Sequence, residues 1–306
     1  MAGASLAVPL FDAAPARHVS ATTLDQYAEA NRALWQVFAT ARTKALTLPL
    51  VRDQLSTLTS HLGAAQTEQA HRQLCGLIAD LLQLAGEIHF DGNRYGDAAQ
   101  SYSTAASAGR EAAAFDLWAT AMVRHSFLSL YDGKPAEARP LLEAAERLAQ
   151  RGDTQLATRH WVAMVQAQAL SALGDFDGCQ RALDVAEQVN GARSPGGWLR
   201  FDSSRLPEER GACYVQLQRP DLAEAVLTEA LSSPMSARRR GSIQVDLATV
   251  AVQQRDADRV VDHVRRALAV AEETGSGWVS RKLQGLRPQL TPILDDQRVR
   301  QLAGQI

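Results

Sequence analysis

Five times along the chain the same small-and-large grid recurs at helical spacing. Gly86, Ser126, Ala167, Gly211 and Ala248 each stand twelve residues before Ala98, Ala138, Cys179, Ala223 and Val260. Four residues on come Tyr102, Leu142, Leu183, Leu227 and Val264, and three further on alanine every time: Ala105, Ala145, Ala186, Ala230 and Ala267. Small residues let two helices approach closely, and the large ones fill the hole between successive pairs. A unit of this kind cannot bury its apolar face alone, so its repetition predicts an all-α solenoid of antiparallel helix pairs. Such arrays bind other molecules along a curved surface.

Composition narrows the class. The chain has 306 residues, a formal net charge of -2 and 46% hydrophobic residues, as in ordinary globular proteins. The near-neutral balance argues against a dominant nucleic-acid surface. Cys75, Cys179 and Cys213 stand apart on apolar helical faces with no C-x-x-C, so neither a zinc site nor a redox pair is expected. The start lacks a positive n-region, and no uninterrupted apolar run approaches about twenty residues. A cytoplasmic protein without membrane association is expected.

Residues 1–19 are rich in alanine and proline and read as a leader or linker. Ser20 or Thr22 is a suitable N-cap for a helix over about 23–45, and a second helix starts near Leu48 with Leu50, Leu55, Leu58 and Leu62 inward. This pair, 20–66, lacks the grid and is assigned as an N-terminal capping unit. The repeats fill 67–275, with turns at residues 91–93, 132–135, 174–175, 218–221 and 254–256. Gly and Asn supply positive φ there, Pro135 and Pro220 start the next helix, and Asp caps it. The widest insertion, 194–198, ends in an aromatic anchor, Trp198. Residues 276–306 read as C-terminal capping helices interrupted at Pro288 and Pro292.

The chain carries no G-x-x-x-x-G-K loop and no G-x-G-x-x-G after a strand, and no cofactor is expected. His160 is read as packed or solvent-facing, and no metal site is expected. The neighbours Asp295–Asp296 and Glu208–Glu209 point about 100° apart on a helix and read as solvated carboxylates, not as an acid/base dyad. The basic cluster Arg238-Arg239-Arg240 reads as a solvated helix start. With no nucleophile–base pair, a non-enzymatic role is expected.

The first helix of each pair is expected to line the concave side. Counting from its small residue, positions six and three before, and one and four after, face inward. The candidate ligand- or partner-binding residues are then Gln83, Glu87, Phe127, Trp161, Met164, Gln168, Arg205 and Glu208. Aromatic, Met and amide groups in a groove suit a peptide or small ligand. Phe127 and Trp161 have a second reading, in which they pack against each other inside a tight superhelix.

Residues 85–91 (Ala-Gly-Glu-Ile-His-Phe-Asp), 133–138 (Gly-Lys-Pro-Ala-Glu-Ala) and 172–175 (Ala-Leu-Gly-Asp) resemble tetratricopeptide repeats. The repeat intervals of 40, 41, 44 and 37 residues, from Gly86 to Ala248, exceed that family's period of roughly 34. Residues 198–202 (Trp-Leu-Arg-Phe-Asp), followed by 211–214 (Gly-Ala-Cys-Tyr), are more particular. With Asp246-Leu247-Ala248 and residues 292–302, they resemble the sensor half of actinobacterial helix-turn-helix transcriptional regulators with C-terminal tetratricopeptide repeats.

The resemblance implies a sensor or adaptor that binds a peptide, a small signal or a partner protein in its groove, with a homodimer as one arrangement. DNA contact would come only through a helix-turn-helix domain that these residues lack. Residues 2–10 resemble the linker that follows that domain, which leaves a sensor fragment or a stand-alone relative. The rival expectation is a constitutive protein–protein scaffold that senses nothing.

Overall fold

The computed structural model describes residues 19–41, 43–63, 65, 67–193, 197–199 and 201–306. The 1–18 part of the expected leader and the 194–196 part of the insertion lie outside these. Fourteen α-helices follow one another among the described residues, and no strand is formed. An isolated parallel bridge joins Leu156 to Arg193.

The N-terminal unit is α1 (Ala21–Thr40) and α2 (Leu48–Leu62). Ser20 caps α1 by accepting from the Thr23 amide at 3.1 Å. The helix stops before 45 because Lys44 turns back, donates to the Phe38 and Ala39 carbonyls and stacks on the Phe38 ring. A cation thus satisfies carbonyls left free at a helix end. In α2 the inward residues are Val51 and Leu58, whereas Leu50 is 49% exposed, a correction to the expected stripe.

Five helix pairs come next: α3 (Glu68–Asp91) with α4 (Tyr95–Glu111), α5 (Phe115–Tyr131) with α6 (Pro135–Ala149), and α7 (Thr158–Ala172) with α8 (Phe176–Glu187). They continue as α9 (Leu206–Gln216) with α10 (Pro220–Leu231), and α11 (Ala237–Gln253) with α12 (Ala257–Thr274). The chain ends in α13 (Gly277–Leu286), a 3-10 turn over Arg287–Ile293 and α14 (Gln297–Ala303).

Every residue of the grid is buried. The reason is visible at the glycines: a Cβ added to Gly86 would lie 2.3 Å from the Tyr102 ring, and one on Gly211 would lie 2.4 Å from Leu227. Small residue and large residue are therefore knob and hole within one pair. Cys179 and Cys213, isolated in the sequence, lie in the same apolar core.

The turns inside the pairs repeat to the residue. Seven positions after each grid residue stand Asn93, Gly133, Gly174, Gln218 and Arg255, all left-handed with φ between +54° and +76°. The next amide bonds back to a carbonyl five residues earlier, for example Arg94 N to His89 O at 2.9 Å and Lys134 N to Ser129 O at 2.8 Å. This closure ends a helix while satisfying its last carbonyls. Asp175 and Asp256 cap the following helices at 2.8 and 3.1 Å, and Pro135 and Pro220 occupy the first turn of theirs.

Packing makes two rows. The odd-numbered helices α1 to α13 each touch the next odd helix, whereas α4, α6, α8 and α10 pack on odd neighbours and not extensively on one another. A double row packed more tightly on one side must curve with that side inward. The bend is strong enough that Arg281 of α13 donates to the Tyr131 hydroxyl of α5 at 3.2 Å and also reaches Asn93. Rings close the same seam: Tyr131 lies 5.1 Å from Phe90 and 5.7 Å from Trp278.

Candidate functional site

The inner row gathers polar groups from helices distant in sequence. Arg124, amid the apolar residues of α5, is only 5% exposed in its side chain. Burying a guanidinium is costly unless its charge and donors are answered. Here Nε donates to Glu87 Oε1 at 3.2 Å, Nη1 to Gln83 Oε1 at 2.7 Å and Nη2 to the Trp198 carbonyl at 2.8 Å. The planar cation also lies 4.9 Å from the Trp161 ring and 5.6 Å from that of Trp35, a placement suited to arginine. Tyr102, the large residue of the first grid, donates to Glu87 at 3.0 Å.

Beside this group Asp80 accepts from Trp35 Nε1 at 2.7 Å and Asn31 Nδ2 at 3.0 Å. Burial pushes its carboxyl up to about 6, although both hydrogen bonds and the Arg124 charge pull the other way.

A second cluster is built from α7, α9, α11 and α13. Gln168 donates to Glu209 at 2.7 Å. Arg205 donates to Glu208 at 3.1 Å and lies 3.6 Å from Glu209, while Arg239 donates to Glu208 at 2.9 Å. Lys282 pairs with Asp246 and donates to Ser242 Oγ at 2.9 Å. Burial raises the Glu209 and Asp246 carboxyls, opposed by Arg205 in the first case and Lys282 in the second. Three carboxylates and three cations face one another, a surface that can exchange internal ion pairs for a ligand's charged groups.

Of the residues the spacing selected, Gln83 and Glu87 join the Arg124 group, and Gln168, Arg205 and Glu208 join the second cluster. Phe127 and Trp161 pack against each other at 6.5 Å between ring centroids, while Trp161 also covers Arg124. Met164 is fully buried in the core with Cys179, Cys213 and Leu183, not on the inner surface, because the face it occupies on α7 turns toward α8 and α9. Arg205 is 46% exposed and sits in a 3-10 turn that leads into α9.

Glu208 is only 11% exposed, and Arg239 is half-buried against it. Adjacency in sequence alone suggests solvated groups at both positions, but their mutual pairing draws them inward, Glu208 to the inner side that the spacing also gives it. His160 is buried and bonds the Val185 carbonyl at 2.9 Å, a packed histidine. Asp296 caps α14, and the Arg298 guanidinium holds its carboxyl down at about 2.

Arg124, Glu209 and Asp246 escaped the spacing rule for one reason: each stands two residues before its grid residue, a position the rule left out. A lone arginine within the apolar run of α5 was the available signal. Trp198 stood out as the aromatic anchor of the insertion, but nothing local named its partner or that of Trp35, since both partners lie far away in sequence.

A groove of about 620 Å³ lies elsewhere, on the opposite side of the double row, between α6, α7 and α8. Arg139, Glu143, Glu146, Arg159 and Arg181 rim it over a floor that includes Leu142 and Ala163. It is open and evenly charged, and it holds none of the clustered chemistry of the inner row. Groups of three or more His, Cys, Asp or Glu placed to hold a metal are absent among the described residues, and no described helix is long and apolar enough to cross a membrane. No protein-family model matches the chain, and no curated protein matches it.

Proposed function

We propose that the chain is a tetratricopeptide-like sensor or adaptor whose inner row binds a peptide, a small signal or a partner protein. The observation that carries this is the convergence of Arg124, its two tryptophans, Glu87, Gln168 and the Glu208–Glu209 pair, from helices far apart in sequence, on one curved face. The turn geometry, repeated five times, supports the tetratricopeptide-like reading of the fold. Each pair packs chiefly on its neighbours, so a small rotation at one junction adds along the row and shifts its ends. In the regulator reading that shift is passed to a DNA-binding helix-turn-helix domain outside these residues.

The test is selection of a random-peptide display library on the immobilised chain. Peptides that bind the inner row are expected to lose about tenfold in affinity, about 1.4 kcal/mol, with Gln168→Ala or Arg205→Ala. If neither substitution changes the affinity of any selected peptide, the reading fails. One observation favours a constitutive scaffold instead: most inner polar groups already satisfy one another. A stoichiometric protein partner indifferent to both substitutions is the outcome that supports it.

A further inference from the structure

The connection between α8 and the 3-10 turn at Ser203–Arg205 does not stay on the outside of the double row. Arg193 pairs with the backbone of Gln155 and Ala157, and residues 197–199 lie against α1 and α5 through Trp35 and Arg124. Trp198 packs against two separate cores, one formed by α1 to α3 and the other centred on α7 to α11. Gly197 lies flat on Trp35: a Cβ built there would be 3.3 Å from its ring, and its φ of +56° is left-handed. Leu199 is fully buried. The Trp198 carbonyl takes the third donor edge of Arg124, whose other two edges are held by helix side chains.

We infer that Gly197-Trp198-Leu199 is a built-in occupant of the inner row, seated where an external ligand binds. That ligand is a short free peptide with an aromatic side chain, whose backbone carbonyl replaces that of Trp198 on Arg124. The inference rests on the inner row being a ligand site and names the ligand class.

Three features point to a peptide. The receptor atom is a guanidinium that already holds a peptide carbonyl, and the walls on both sides are indole rings that favour another aromatic group. The place is also enclosed, with Arg124 5% exposed and Leu199 wholly buried, so an extended chain enters where the surface of a folded protein does not. A tethered occupant lowers the apparent affinity of a competing ligand by the fraction of time the site is filled.

The test is calorimetric titration with N-acetyl-Gly-Trp-Leu-amide, which reproduces residues 197–199. Trp198→Gly weakens the tethered occupant and is expected to bind the peptide about tenfold or more tightly than the wild-type chain, by the same occupancy argument. Adding Arg124→Gln to that variant is expected to abolish saturable binding. Replacing tryptophan by alanine in the peptide is expected to do the same without altering the protein.

No binding by a folded Trp198→Gly chain, equal affinity of wild type and variant, or equal affinity for the alanine peptide overturns the inference. If Trp198→Gly does not fold, as judged by circular dichroism, the wild-type chain is used with displacement read as faster tryptic cleavage after Arg193 and Arg200. Cleavage unchanged at excess peptide overturns the inference there. A library-selected peptide that depends on Gln168 and Arg205 yet binds the Trp198→Gly chain no better leaves the inner row a ligand site and removes the built-in occupant.

Discussion

At Gly86 the missing Cβ is what lets α3 and α4 pack, because the Tyr102 ring occupies its place and is held there by the bond to Glu87. Gly86→Ala is therefore expected to cost about 1–3 kcal/mol through overpacking. Gly96, in the first turn of α4, faces open space, and Gly96→Ala is expected to be neutral or to stabilise by up to about 1 kcal/mol. Urea denaturation of the two variants checks this; equal midpoints would mean that the grid is not the packing device. Asp80 gives a second prediction at this scale. Its folded carboxyl is raised to about 6, so between pH 4 and 6 the folded chain holds a proton that the unfolded chain has released. Stability from this group is thus present below about pH 4 and is lost as pH rises through 6, the reverse of a salt-bridged carboxylate. Comparing Asp80→Asn with wild type at pH 4 and pH 7, the wild-type chain is expected to lose about 2–3 kcal/mol more on going to pH 7. Parallel pH profiles would contradict the burial argument.

The helices were the most legible part of the chain, since the grid, the capping Ser20, Asp175 and Asp256, and the prolines at 135 and 220 are all local signals. Errors fell where a distant or unusual partner decided the outcome. The end of α1 moved because Lys44 folds back on its carbonyls, and the inward stripe of α2 was off by one residue at Leu50. The turns show the same division. Gly133 and Gly174 announce a left-handed residue, whereas Gln218 and Arg255 take that conformation only because the repeat imposes it. A side chain in that region costs energy that glycine avoids. Gln218→Gly is accordingly expected to stabilise by about 0.5–1 kcal/mol, read as a higher denaturation midpoint with an unchanged slope. A lower midpoint would show that the turn depends on the Gln218 side chain.

Over the whole molecule the sequence foretold a row of helix pairs but not how tightly it bends. Curvature brings Arg124 to Trp198 and Arg281 to Tyr131, contacts across 74 and 150 positions that no local spacing encodes. The candidate site was therefore half legible. Gln83, Glu87, Trp161, Gln168, Arg205 and Glu208 followed from periodicity, while Arg124, Glu209 and the placement of Trp35 and Trp198 required the fold. The same curvature separates an inner face rich in charge and aromatic rings from an outer face that carries the open groove between α6, α7 and α8, and the functional proposal depends on which face receives the ligand. The direct measurement is backbone hydrogen–deuterium exchange of the chain with and without the tightest library-selected peptide. The account predicts added protection in the inner helices α5, α7 and α9, and lost protection in the segment 197–199 where the peptide displaces it. Protection confined to α6 and α8, which border the outer groove, would contradict it.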